Sequence, residues 1–248
     1  MKNTAGLSIL MAIMAILLNG CYQKEIQYYS NPDVGELQEN KNRVQKGDYQ
    51  LSVADDQLII DSKKKKFEIS LPEHHSGIQS FHFSYDTRYL AYDAVVGNGV
   101  KIFVVDLETG EKVNLSETIG YKYDYNGYHS SCGIAWAPDQ NIIAFIGGYN
   151  DSARINIYHF DMDEELQAPA GSLIFNDIYG VKWNITGESI YYTADSLENE
   201  NMYGLYQTEI ESDSRLLGGT VKLISEMSEK NLNQWLNETA NIEDKTWP

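Results

Sequence analysis

The sequence predicts an all-β fold made by repetition, and three observations carry the prediction. Short apolar runs alternate with polar residues at the two-residue period of a half-buried strand. Clusters of Gly, Asn, Asp and Ser break these runs at hairpin spacing. The same strand, turn and strand then return several times along the chain.

Residues 78–111 are the clearest unit. Phe81-His82-Phe83 alternates and runs into Ser84-Tyr85-Asp86-Thr87, a polar turn that lets the backbone reverse. A second strand is predicted over 89–96. Gly97-Asn98-Gly99 supplies the left-handed backbone of a tight hairpin, so 100–105 returns as a third strand. Asp106-Leu107-Glu108-Thr109-Gly110 turns the chain again, with Gly110 where a short loop needs positive φ, and 112–115 reads as an outer fourth strand.

Three further segments share this pattern: 49–60, 134–145 and 181–192. Leu51, Phe83, Trp136 and Trp183 hold the corresponding position and lie 32, 53 and 47 residues apart. Periods in this range are those of the blades of a β-propeller. The third strand recurs as well: 155–160 with Asp161 matches 100–105 with Asp106, and 202–208 is a looser copy. Residues 66–71 close the first segment, which is short by a strand's length. Lys63, Lys64, Lys65 and Lys66, the one basic run, read as a solvated hairpin turn.

Phe83-Ser84-Tyr85-Asp86-Thr87-Arg88-Tyr89-Leu90-Ala91-Tyr92 and Trp136-Ala137-Pro138-Asp139-Gln140-Asn141-Ile142-Ile143-Ala144-Phe145 resemble the TolB-type, WD40-like propeller repeat. Its pattern is an aromatic residue, Ser-Pro-Asp-Gly, a strand with Leu-Ala or Ile-Ala, and a later strand ending Asp-x-x-x-Gly, which 102–110 matches. Pro138-Asp139 keeps the Pro-Asp pair, Asp86 keeps the Asp, and Gly187 keeps the Gly. The resemblance implies an all-β, propeller-like fold of about four recognisable blades. A four-bladed ring, an open one and one completed by divergent strands remain the alternatives. It also implies an envelope interaction platform.

The chain opens Met1-Lys2-Asn3, is apolar from 7 to 18 and reaches Asn19-Gly20-Cys21, the pattern of a secretory signal over residues 1–20. The apolar run is shorter than the roughly 20 residues that a membrane-spanning helix needs. Leu18-Asn19-Gly20-Cys21 resembles the bacterial lipoprotein signal box, which implies cleavage before Cys21 and its acylation, with palmitate as the expected chain. Several acyl chains on one cysteine anchor stably where a single chain is marginal. The expected location is therefore the extracytoplasmic face of a membrane, periplasmic or extracellular. Residues 21–46 are polar and read as a flexible tether, 47–224 as the propeller-like domain, and 225–248 as a helical tail. In that tail Leu232, Trp235, Leu236 and Ala240 fall at helical spacing after Ser228 as a cap.

A net charge of −17 argues against nucleic acid, because phosphate binding needs Lys and Arg gathered on one face. Cys132 is the only other cysteine, so with Cys21 acylated no internal disulfide is expected. No Gly-x-Ser-x-Gly elbow occurs, and the adjacent side chains of His129-Ser130-Ser131-Cys132 point apart on an extended loop, so no catalytic residues are expected. His74-His75 is placed on a turn, with His82 and His159 on separate strands. Asp161-Met162-Asp163-Glu164-Glu165 lacks the glycine and spacing of a calcium loop and reads as a hairpin tip. No metal site and no cofactor are expected.

The binding signal lies in the insert between Leu115 and Gly133, where Tyr121, Tyr123, Tyr125 and Tyr128 are interleaved with Asn and Gly. Tyrosines on such a loop give large contact area at low entropic cost. The expected function is a protein-interaction or ligand-binding module with a protein partner in the envelope. The alternative is a glycan-binding protein or a hydrolase using the central cavity.

Overall fold

Alternation along each strand decides which side chains meet the next sheet. The computed structural model describes residues 28, 43–46, 48–54, 56–73, 75–96, 99–118, 133–149, 152–162, 164–166, 175, 177–210 and 217–237. The signal segment, Cys21 and Tyr121, Tyr123, Tyr125 and Tyr128 lie outside these residues. The described strands form four four-stranded sheets, each an antiparallel meander in chain order. Sheet I holds β1 (Arg43–Lys46), β2 (Tyr49–Ala54), β3 (Gln57–Ser62) and β4 (Lys66–Ser70). Sheet II holds β5 (His75–Phe83), β6 (Tyr89–Val96), β7 (Gly99–Asp106) and β8 (Lys112–Asn114), followed by the single turn α1 (Leu115–Thr118). Sheet III holds β9 (Ile134–Trp136), β10 (Ile142–Tyr149), β11 (Ser152–His159) and β12 (Glu164–Leu166). Sheet IV holds β13 (Ile178–Trp183), β14 (Ser189–Asp195), β15 (Tyr203–Ile210) and β16 (Leu217–Met227), and α2 (Glu229–Asn237) follows. The fold is all-β and propeller-like, with one short C-terminal helix.

The sheets stack face to face in chain order. Leu51, Leu58 and Ile60 of sheet I bury against Phe81, Phe83 and Tyr92 of sheet II. The opposite face of sheet II, with Tyr89, Ala91 and Val104, packs on Trp136, Phe145 and Tyr158 of sheet III. Ile142, Ala144 and Ile157 of sheet III meet Val181, Trp183 and Tyr192 of sheet IV. Two seams share a tryptophan clasp. Trp136 Nε1–H donates to the carbonyl of His82, and Trp183 Nε1–H to that of Ala135, each at 3.0 Å. Burial of such large aromatics dominates the energy of each seam, and the indole N–H finds the partner that a buried donor needs.

The stack ends differently on its two sides. Sheet I turns Gln50, Ser52, Asp61, Lys66, Glu68 and Ser70 away from sheet II, with the half-buried Ile59 among them, a mostly polar outer face. Sheet IV has an apolar outer face, and α2 covers it with Leu232, Trp235 and Leu236 against Tyr191, Leu205 and Met227. Ser228 caps this helix, accepting from Asn231 N–H at a long 3.5 Å and, through its carbonyl, from Leu232 N–H at 2.9 Å. Among the described residues no core cluster joins sheet I to sheet IV.

Several sequence expectations change in detail. The strand missing from the first repeat is Arg43–Lys46, inside the predicted tether, so the sheets begin at 43 rather than 47. It is an edge strand with no apolar alternation, which is why the pattern hid it. Leu51 therefore sits on the second strand of its sheet, while Phe83, Trp136 and Trp183 end the first strand of theirs. The third strands match with a shift of two: Leu90 pairs with Val105 and Ile143 with Tyr158, so Tyr158 rather than Phe160 corresponds to Val105. His75 opens β5, with Nδ1 3.0 Å from the Pro72 carbonyl, instead of lying on a turn. Glu164 and Glu165 belong to β12 and not to a tip. Gly110 has the expected positive φ, 80°.

Candidate functional site

Antiparallel meanders sort the loops into two ends. The β5–β6, β7–β8, β9–β10, β11–β12 and β13–β14 links gather at one, here the turn end; β6–β7, β10–β11, β14–β15 and the connections between sheets gather at the other, the loop end.

The predicted insert belongs to the loop end. Its tyrosines are outside the described residues, but both of its roots are placed. Leu115 of α1 is buried in the seam between sheets II and III, and Ser116 Oγ accepts from Ile102 N–H at 3.4 Å. The chain resumes at Gly133, whose carbonyl accepts from Ile146 N–H at 3.0 Å. The described residues that flank 119–132 thus lie beside the seam between sheets II and III.

That seam holds a buried polar cluster which sequence reasoning missed. Asp93 Oδ1 accepts from the Ser80 N–H at 2.6 Å and the Ser80 hydroxyl at 2.9 Å, and His82 Nε2 lies 2.9 Å from the same hydroxyl. All three residues are buried. The types are those of a hydrolytic triad, but the order is not. Here the Ser80 hydroxyl lies between the carboxylate and the imidazole, whereas in a triad the imidazole lies between the serine and the carboxylate. The cluster fastens the irregular start of β5, where the register slips between Ile78 and Ser80, onto β6. A polar residue inside an apolar strand, as in Tyr89-Leu90-Ala91-Tyr92-Asp93-Ala94, was the available signal.

The turn end is wired both within sheet II and across sheets. Arg88 Nη2 donates to Asp106 Oδ2 at 3.1 Å, and Lys65 Nζ reaches from sheet I to the Glu108 carbonyl at 2.6 Å. Asn141 Nδ2 of sheet III donates to Asp86 Oδ2 of sheet II at 3.0 Å and lies 3.3 Å from Asp161 Oδ1. Burial works to raise the Asp86 pKa, but bonds from the Arg88 N–H, the Asn141 amide and the Ser84 hydroxyl outweigh it and hold the carboxyl below its usual range. Tyr89, stacked on Trp136 with centroids 6.1 Å apart, is pushed upward by burial. Three tips at this end carry exposed apolar side chains: Tyr85 at 39%, Met162 at 53% and Ile185 at 55% exposure.

A further feature joins the N-terminal segment to the last sheet. Tyr28 forms an antiparallel bridge with Asn184, and its ring stands edge-on to Tyr191 at 5.5 Å and to Trp235 at 5.7 Å. Lys182 of β13, itself buried, extends between them. Its Nζ donates to the Trp235 carbonyl and lies 4.0 Å from the Trp235 ring centroid and 5.1 Å from that of Tyr28. The predicted tether is therefore fastened at Tyr28. Among the described residues no group of three or more His, Cys, Asp or Glu side chains is placed to hold a metal ion.

No protein-family model matches the sequence, and no curated protein matches it. Among solved structures the chain is similar to TolB from Acinetobacter baumannii, at 16% identity and a TM-score of 0.39 over 68% of this chain and 37% of that one. It is similar to a putative TolB from Agrobacterium tumefaciens at 10% identity and a TM-score of 0.43, over 76% and 62% of the two chains. An auxiliary nutrient binding protein from Bacteroides thetaiotaomicron compares at 10% identity and a TM-score of 0.41, over 79% and 42%. The chain thus spans between 37% and 62% of the length of these proteins. The class, an all-β propeller-like protein, stands on its own four sheets; the likenesses add nothing about activity, substrate or partner.

Proposed function

We propose that this protein is a membrane-anchored extracytoplasmic lipoprotein whose array of sheets is a binding platform for a protein partner in the cell envelope. The anchor is Cys21 at the end of its signal segment, and no catalytic step is assigned to the chain. The observation that carries the reading is where the insert is rooted. Leu115 and Gly133, which flank the insert, lie at the buried seam between sheets II and III, and a loop rooted in a packed scaffold is how a rigid framework presents a recognition surface. Tyr121, Tyr123, Tyr125 and Tyr128 supply the contact area.

The test has two parts. Cys21→Ser is expected to move the full chain out of the membrane fraction and to abolish acyl mass on the N-terminal peptide; an unchanged distribution sinks the anchor. A photo-crosslinker at position 123 or 125, in membranes of the native host, is expected to trap one dominant partner. Deletion of 120–131 is expected to lose that partner while leaving the melting temperature within about 2 °C, since loop excision changes closure entropy little. Retention of the partner by the deleted chain refutes the role of the insert.

A further inference from the structure

Three features of different origin meet at the turn end. The first is a row of apolar tips. Tyr85, Pro138 and Ile185 each lie two residues after the buried aromatic that ends the first strand of their sheet, and Tyr85 and Ile185 are exposed. Their turns touch in sequence. Asn141 bonds Asp86 across sheets II and III, and a Cβ on Gly187 of sheet IV would stand 3.4 Å from Pro138 Cγ of sheet III. Met162 follows Asp161, which shares the Asn141 amide, so its exposed side chain belongs to the same surface. Single exposed apolar residues need no explanation, but a row at one place in successive sheets is a patch.

The second feature is the lysine run of sheet I. Its turn lies at this end, since Lys65 bonds the Glu108 carbonyl in the β7–β8 turn. The third is the entry of the N-terminal segment. Tyr28 bridges to Asn184, the residue next to Ile185, and Cys21 precedes Tyr28 by seven residues. Seven residues span at most about 25 Å when fully extended. A lipid on Cys21 therefore holds the Ile185 corner within about 25 Å of the bilayer surface, and the loop end with its insert is the end farther from that corner.

Building on the anchor proposed above, we infer that the turn end is a membrane-docking face that rests its apolar tips in the interface of a zwitterionic bilayer. Tyr85 suits that environment, with an apolar ring and a polar hydroxyl. Lipid charge is specified by the rest of the end. Asp86, Asp139, Asp161 and Glu188 lie among the tips, Arg88 beside Tyr85 is paired with Asp106, and the lysine run is confined to sheet I, so anionic lipid is repelled over most of the face. The arrangement leaves the opposite end, with the insert, turned toward a partner.

The test uses the full chain in a Cys132→Ser background, with Tyr85→Cys, Ile185→Cys or Leu197→Cys labelled by an environment-sensitive dye. Leu197 is the control, 57% exposed at the loop end. The probe is phosphatidylcholine–phosphatidylethanolamine vesicles with and without nitroxide-labelled lipid. At least twofold greater quenching at 85 and 185 than at 197 is expected, and Tyr28→Ala, which frees the segment, is expected to reduce the difference. Equal quenching at the three sites on protein that still floats with vesicles overturns the docking face and leaves the anchor standing. A Cys21→Ser chain that floats with the same quenching pattern overturns the anchor and leaves the docking face. Failure of the parent chain to float refutes both. Labels at 85 and 185 that are wet on vesicles but shielded in native envelope membranes overturn the lipid contact and give the face to a protein.

Discussion

Thr87 and Gly187 occupy the same position of the first turn in sheets II and IV, and both have left-handed backbones, with φ of 61° and 75°. That conformation costs a residue with a Cβ about 1–2 kcal/mol, and a β-branched side chain is the least suited to it. Glycine adopts it freely but loses about 0.5–1 kcal/mol through the greater entropy of its unfolded chain. Thr87 is exposed, and its backbone N–H bond to the Ser84 carbonyl, 3.0 Å, survives substitution. Thr87→Gly is therefore expected to stabilise the protein by about 0.5–1 kcal/mol, against the usual direction of a change to glycine. The reverse change is the control. Gly187→Ala imposes the backbone cost and brings a Cβ to 2.7 Å from Asp139 Oδ1. Asp139 is exposed and free to swing aside, so the backbone dominates; less the entropy that alanine saves in the unfolded chain, the expected loss is about 0.5–1 kcal/mol. Urea unfolding followed by circular dichroism reads both, with equal m-values required. Melting shifts of roughly 2–4 °C per kcal/mol are expected for a chain of this size. Destabilisation by Thr87→Gly, or a neutral Gly187→Ala, would refute the strain argument.

Two other perturbations probe the seams and the turn end. Trp183→Phe deletes the indole donor to the Ala135 carbonyl and leaves a void between sheets III and IV; about 2–3 kcal/mol of stability should be lost, and a loss below about 0.5 would show that the clasp is incidental. Because the folded pKa of Asp86 is depressed, its contribution is present above its unfolded value, about 4, and disappears as pH falls through the lower folded value. Asn141→Ala removes one bond that lowers it, so the melting temperature of the variant should fall less between pH 4 and pH 2 than that of the parent; identical acid profiles would contradict the assignment.

Much of the fold was legible because strand and turn signals are local. Phe83, Trp136 and Trp183 stood out as large aromatics just before a polar reversal, and each ends the first strand of its sheet. Leu232, Trp235 and Leu236 announced a helical face, and α2 buries all three. Arg43–Lys46 was unreadable because an edge strand is specified by backbone pairing rather than by an apolar pattern. The shift of two between β7 and β11 was hidden for a related reason. Both strands alternate, and a slip of two keeps every side chain on its own face, so the pattern cannot reveal it. Of the candidate site, the sequence marked the tyrosines of the insert. Ser80, His82 and Asp93 passed as ordinary strand residues.

By itself the sequence determined the strands that flank the four recurring polar turns, the capped terminal helix and the acidic balance, since each depends on residues within a few positions of one another. The tertiary structure decided the rest: that the four sheets stack face to face in chain order, that a helix covers one side while the other is left mostly polar, and that Tyr28 crosses to Lys182 and Trp235. Those outcomes depend on which apolar face meets which, and on contacts between residues far apart in the chain. A period of two fixes a face for each strand, but it does not name the face opposite.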